Sequence, residues 1–269
     1  MVVSTSWLAQ HLHDPGVVVI YIGRDRQSYE RGHIPSVQFI PLDAMAEQHG
    51  DIPHELPSIE NLKALFESVG ISDNSRIVLC GEGGGMLAAR AYFTLDYLGL
   101  GEHAALLNGG YERWVAEGRE VSHATSVLNR GHITPHPHPE ILVSLAEMQQ
   151  LSRQPNGAAL LDARSAAEFK GAVASEGVSK PGHIPGATAM DWKSLETGDS
   201  ELLPRTELAK MFANAGIQPG QKVISYCRTG LRASMVYFVA KYLGHPAAMY
   251  DGSVVEWVQK GNDLVTSSQ

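Results

Sequence analysis

"LFESVGISDNSRIVLC" occupies residues 65–80, and "MFANAGIQPGQKVISY" occupies residues 211–226. The two stretches have the same length and agree at Phe66 and Phe212, Gly70 and Gly216, and Ile71 and Ile217. Each reads as the end of an amphipathic helix, a closing glycine, a short turn and then a run rich in Val, Ile and Leu that suits a buried strand. A helix feeding a strand, found twice, sends the search for a repeat outward in both directions.

Upstream, "VVVIYIGR" (17–24) and "GHIP" (32–35) are answered by "AALLDAR" (158–164) and "GHIP" (182–185). Downstream, "AYFTLDYLG" (91–99) and "NGGYERW" (108–114) are answered by "VYFVAKYLG" (236–244) and "DGSVVEW" (251–257). The landmarks keep one order, so the chain is two copies of one unit. Strands alternating with helical segments predict an α/β fold: two tandem domains, each a mainly parallel sheet with helices on both faces. The expected domains are residues 1–124 and 141–269, with a connection over 125–140. Within that connection Pro135, Pro137 and Pro139 break both periodicities and suggest a solvated, extended segment. His132, His136 and His138 have no carboxylate or cysteine partners at ligand-like spacing, so no metal site is expected there.

The chain has 269 residues, 43% of them hydrophobic and 19% charged, with a net charge of −8. No apolar run approaches the ~18 residues of a membrane span, and the acidic balance gives a nucleic acid no basic surface to grip. The first residues lack the basic start, apolar stretch and small-residue cleavage site of a secretory signal, so the cytoplasm is the expected location. Two cysteines, Cys80 and Cys227, are too few for a disulfide framework, which makes their reactivity the question to ask.

Cys227 follows the strand "KVISY" and precedes a helix, in the segment "CRTGLRAS" (227–234). In a parallel sheet, ligands bind where strand ends feed helix N-termini. Backbone N–H groups of such a loop form an anion nest. Together with Arg228 and Arg232 they favour a thiolate. Gly230 permits the turn, and Thr229 and Ser234 are expected to add hydroxyl donors at the rim. The equivalent first-copy loop, "CGEGGGMLAAR" (80–90), carries Glu82 and no arginine before the helix, and Cys80 falls one position early. The first copy is therefore expected to be a non-catalytic scaffold.

"LLDARSAAEF" (160–169), "GHIPGA" (182–187) and "YCRTGLRAS" (226–234) together resemble the tandem-domain rhodaneses, or thiosulfate sulfurtransferases, and their 3-mercaptopyruvate relatives. The resemblance runs over nearly the whole chain. It implies that Cys227 accepts a sulfane sulfur from thiosulfate as a persulfide and hands it to cyanide or a thiol, including a thioredoxin-like or other dithiol. It implies no cofactor and no metal, and places the substrate on Arg228, Thr229, Gly230, Leu231 and Arg232. Asp162 and Arg164 match the family's Asp-x-Arg pattern and resemble a buried brace, with His183 in the turn that follows. Ile22 stands where the first copy would need the Asp. Several long relatives place an arginine near Glu168; its absence here shifts anion binding toward the loop arginines or the segment 171–180. The extra charge in "CRTGLR" favours thiosulfate over 3-mercaptopyruvate. A cysteine-dependent phosphatase is the rival enzyme class, but only four residues separate Cys227 from Arg232, a shorter loop than those enzymes use. A non-catalytic interaction module fits the first copy and not the second.

Overall fold

The computed structural model describes residues 1–50, 52–126, 129–154 and 157–266. The chain divides into two compact units: Met1–Glu47, Leu56–His138 and Glu196–Leu202 form one, and Gln48–Glu55, Pro139–Leu195 and Leu203–Gln269 form the other. Each unit thus includes a short piece that lies, in sequence, inside the other. Val127 and Leu128, within the expected connection, fall outside the described residues.

The first-copy strands are β1 (Val2–Val3), β2 (Val17–Gly23), β3 (Gln38–Pro41), β4 (Glu47–His49), β5 (Ile52–Glu55), β6 (Arg76–Gly81) and β7 (Ala104–Leu107). Its helices are α1 (Thr5–His11), α2 (Arg26–Glu30), α3 (Ile59–Ser68), α4 (Gly85–Tyr97) and α5 (Gly110–Ala116). The sheet runs β1-β7-β6-β2-β3 with every pairing parallel, while β4 and β5 pair separately. Successive strand residues point to opposite faces. Val19, Tyr21, Val78 and Cys80 accordingly cluster with Leu8, Tyr29 and Trp114 on one face, and α4 packs on β6, β7 and β2 from the other.

The second copy repeats this on a smaller sheet. Its strands β8 (Ala159–Asp162), β9 (Thr188–Ala189), β10 (Val223–Tyr226) and β11 (Ala247–Met249) lie in the order β11-β10-β8-β9, again all parallel. Its helices are α6 (Leu145–Arg153), α7 (Ala166–Lys170), α8 (Arg205–Asn214), α9 (Ala233–Leu243) and α10 (Ser253–Gln259). Leu160, Ile224, Tyr226 and Ala248 pack with Met148, Val254 and Trp257, and α9 covers the opposite face with Met235, Val236, Phe238 and Val239 wholly buried. An α/β fold with two parallel sheets, each flanked by helices, is what the repeat predicted.

Both "GHIP" segments make the same turn. His33 Nδ1 lies 2.8 Å from the Tyr29 carbonyl and its ring stacks on Tyr29 at 3.8 Å; His183 Nδ1 lies 2.7 Å from the Phe169 carbonyl and stacks on Phe169 at 3.7 Å. The histidine satisfies a carbonyl at the end of a helix that has no partner within it. Gly182, with φ of +109°, sits so close to the Val265 carbonyl that a Cβ would overlap it.

The segment 129–138 differs from the solvated connection expected. It is extended but pinned to the first unit: Gly131 N–H donates to the Glu67 carbonyl and Ile133 N–H to the Glu67 carboxylate, with Ile133 fully buried. The Ile133 N–H and then Arg130 outweigh the desolvation of Glu67 and hold its carboxyl at about 2. A carboxyl lowered by folding contributes stability above its ordinary value, and that contribution is lost as the pH falls through the lowered one. Hydrogen exchange in 130–134 is therefore expected to accelerate selectively below pH ~4.5, reaching its limit near pH 2, and Glu67→Gln is expected to show the faster exchange already at neutrality. Equal exchange in variant and parent would contradict this anchoring.

Candidate active site

Cys227 leaves the end of β10 as a buried residue, 1% exposed. The loop that follows turns on Gly230, whose φ is +82° and whose missing Cβ leaves room for the Asp251 carboxylate and carbonyl. Cys227 N–H and Gly230 N–H both donate to Ser253 Oγ at 3.1 Å. The N–H groups of Arg228, Thr229, Leu231 and Arg232 have no hydrogen-bond partner among the described residues. Only part of the loop's donor set is therefore free of protein partners among the described residues, a division that the spacing alone did not reveal.

The first-copy loop offers a comparison. Counting from the aligned strand ends, Cys80 and Tyr226, Gly83 matches Thr229 and Gly85 matches Leu231. Gly83 N–H donates to Glu112 Oε1 at 3.2 Å, and Gly85 N–H donates to Glu196 Oε1 at 2.8 Å. The first-copy segment, one residue longer from Cys80 to Ala91 than its counterpart from Tyr226 to Val236, thus binds carboxylate oxygens on its N–H groups, which is anion binding by a nest within this very chain. Burial, with the neighbouring Glu112 adding to it against the Gly85 N–H, pushes the Glu196 carboxyl up to about 7.

Arg232 is half-buried and makes a bidentate pair with Glu168, Nη1 to Oε2 at 2.7 Å and Nη2 to Oε1 at 3.0 Å. Burial opposes the guanidinium charge, but the hydrogen bond to Glu168 and the attraction to Cys227 raise its pKa. Burial likewise pushes the Glu168 carboxyl upward, and hydrogen bonds from Arg232 and Ser175 outweigh it, holding the group well below the usual carboxylate range. Glu168, read from sequence as a lost anion ligand, is the group that orients Arg232. It also completes a capping box with Ser165 at the start of α7. Arg228 reaches Glu176 at 3.1 Å, a pair whose glutamate is 89% exposed. Such a pair gives way readily to a competing anion. Lys180, the last residue of the 171–180 segment expected to help hold the anion, pairs with Asp263 at 2.6 Å.

Asp162 and Arg164 are 0% and 1% exposed. Arg164 Nε reaches both Asp162 oxygens at 2.9 and 3.1 Å and Nη2 reaches Oδ2 at 2.6 Å, while the rest of the fork binds the Ser175 hydroxyl and the Gly182 carbonyl. This brace fastens the end of β8 to the "GHIP" turn and, through Ser175 and Glu168, to Arg232. The strand register corrects one alignment. Asp162 pairs with Tyr226 and Ala189, and the residue flanked by the equivalent Cys80 and Phe39 is Tyr21, not Ile22. A buried tyrosine hydrogen-bonded to Ser28 fills the place of the ionic brace in the first copy.

Thr229 is buried and Leu231 half-buried on the loop. Ser234 does not stand at the rim: it is fully buried and its hydroxyl donates to the Gly230 carbonyl at 3.2 Å. Cys80 is sealed in the first core, where burial pushes its thiol well above the ordinary thiol range. Sequence reasoning missed Ser253; the one available signal was that "DGS" replaces the "NGG" of the other copy. Among the described residues no group of three His, Cys, Asp or Glu could hold a metal ion, and no helix is long and apolar enough to cross a membrane.

A family profile described as "Rhodanese-like domain" matches residues 4–117 and 144–260. The chain is 32% identical to "Sulfur carrier protein TtuD" of Thermus thermophilus over 96% of its own length and 93% of that protein. It is 30% identical to a "Putative thiosulfate sulfurtransferase" of Mycobacterium tuberculosis over 96% and 94% of the two chains. It is 29% identical to the "3-mercaptopyruvate sulfurtransferase" of Escherichia coli over 95% and 94%. The solved wild-type structure of EanB superimposes with a TM-score of 0.86 at 26% identity, covering 100% of this chain and 69% of that one.

Proposed function

Since the chain belongs to the rhodanese-like family and is a sulfurtransferase, we propose that it moves a sulfane sulfur from thiosulfate to cyanide or a thiol through a persulfide on Cys227. The observation that carries this reading is the buried thiol at the end of β10 on a loop with N–H groups that lack partners among the described residues, while the first-copy loop holds carboxylate oxygens on its N–H groups. Thiosulfate docks with its sulfonate oxygens toward Arg228, displacing the exposed Glu176 contact, while Arg232 stays fixed by Glu168 and offers a steady positive wall. The Cys227 thiolate attacks the outer sulfur. A new S–S bond forms at Cys227, the S–S bond of thiosulfate breaks, and its electron pair leaves with sulfite. The negative outer sulfur of the persulfide is stabilised by the free N–H groups. An acceptor thiolate or cyanide then attacks that sulfur, and Cys227 departs as a thiolate, completing a two-step exchange.

The supercharged loop favours the dianion thiosulfate over 3-mercaptopyruvate, and the relatives bearing each name are about equally similar. Intact-mass measurement after thiosulfate treatment is expected to show one added sulfur, mapped to the peptide containing Cys227. Arg228→Ala is expected to raise the thiosulfate KM by about tenfold, the value of one charge-assisted contact, with kcat little changed. No added sulfur with thiosulfate but one with 3-mercaptopyruvate would reassign the donor; none with either would overturn the persulfide reading.

A further inference from the structure

Ser253 opens α10 with φ of +53°, a left-handed backbone that a side chain disfavours. The repeat provides the comparison. "DGS" (251–253) matches "NGG" (108–110), and Gly110 opens α5 with φ of +58°. Glycine adopts this conformation without strain. The copy without the reactive thiol uses it, and the copy with the thiol has a serine in its place. Strain retained where a relaxed solution exists in the same molecule points to what the side chain does.

That side chain is wholly buried and its bonding capacity is full. The hydroxyl donates to the Tyr250 carbonyl at 2.9 Å and accepts from Cys227 N–H and Gly230 N–H, both at 3.1 Å. One proton and two lone pairs are all that a serine oxygen has. Two N–H groups three residues apart are drawn to a single oxygen, which closes the arc between them. The N–H groups of Arg228 and Thr229 lie within that arc and those of Leu231 and Arg232 directly follow it, all four without partners among the described residues. The first copy has no hydroxyl at this point.

We propose that Ser253 is a positioning residue for sulfur transfer: by pinning both ends of the Cys227–Gly230 arc, its hydroxyl holds the remaining loop N–H groups aimed at the cysteine sulfur. This rests on the reading that Cys227 carries the persulfide. Ser253 touches no transferred atom. Its effect is exerted through the shape of the loop, and the left-handed backbone is what brings its oxygen under both donors.

The test uses Ser253→Gly, which the backbone accommodates as it does Gly110, beside Ser253→Ala, which keeps the strained φ and loses the hydroxyl. Iodoacetamide alkylation of Cys227 is followed against pH, with kcat and KM for thiosulfate and thermal melting measured in parallel. Both variants are expected to alkylate along a profile displaced upward by about one pH unit, the worth of a single hydrogen bond to a charged group. Their kcat is expected to fall about tenfold or more with the thiosulfate KM little changed, and the alanine variant is expected to melt lower than the glycine variant. A folded Ser253→Gly protein whose alkylation profile and kcat superimpose on those of the parent overturns the proposal. A parent protein that gains no sulfur on Cys227 overturns the persulfide reading instead, so the two failures are told apart.

Discussion

Cys227→Ser is expected to abolish sulfur transfer: thiosulfate should add no mass to the variant, and thiocyanate formation from cyanide should fall to the uncatalysed level. An alcohol at this position is not ionised at neutral pH, and oxygen does not take up a sulfane sulfur by thiol–disulfide-type exchange. The fold is expected to survive, because serine is close in size and Cys227 N–H keeps its bond to Ser253 whatever the side chain. Cys80→Ser supplies the contrast. That thiol is 1% exposed in the first-copy core, with burial opposing its ionisation, and it donates to the Ile20 carbonyl at 3.5 Å. Its loss should leave most of the turnover intact while costing some stability. A loaded sulfur found on the Cys80 peptide would reverse the assignment of active and scaffold copies.

Asp162→Ala is the second large effect, and it falls on stability. The substitution leaves the buried Arg164 guanidinium with the Ser175 hydroxyl and the Gly182 carbonyl as its hydrogen-bond partners among the described residues. Removing one member of a buried pair costs about 3–5 kcal/mol, because the other charge loses compensation in a poorly solvating interior. Against the ~5–15 kcal/mol that holds a typical domain together, such a loss is visible as a large shift of the urea midpoint. The double substitution Asp162→Leu with Arg164→Met is expected to recover much of it, since no uncompensated charge remains. Its turnover should nevertheless stay low, because Ser175 and Glu168 lose the fork that links them to the turn. If Asp162→Ala melts with the parent, the brace does not carry the strand end.

The repeat, the parallel sheets and the position of Cys227 were legible because helix period, strand composition and closing glycines are local signals. The partner of Arg232 was not. Glu168 lies far away in sequence, and its role depends on the capping box that turns its carboxylate toward the loop. Ser253 escaped for a similar reason: a serine after Asp-Gly reads as a turn, and only the fold brings its oxygen under two loop donors. The match of Asp162 to Ile22 failed by one position. Counting from Arg24 and Arg164 hides an extra residue between strand and helix cap in the first copy, which the register of β2 against β6 and β3 exposes. The 129–138 segment misled because its prolines and histidines resemble solvated chain, whereas its hold comes from Glu67, a residue of α3.

The carboxylates of Glu112 and Glu196 seated on Gly83 and Gly85 bear on stoichiometry. A duplicated protein with two open cradles would accumulate anionic donor at a place unable to react, and half of what it captured would be idle. Here the first-copy loop is plugged from within the polypeptide. If Cys227 carries the persulfide as proposed, each molecule has a single loading position, and its occupancy then reports sulfur cargo one for one.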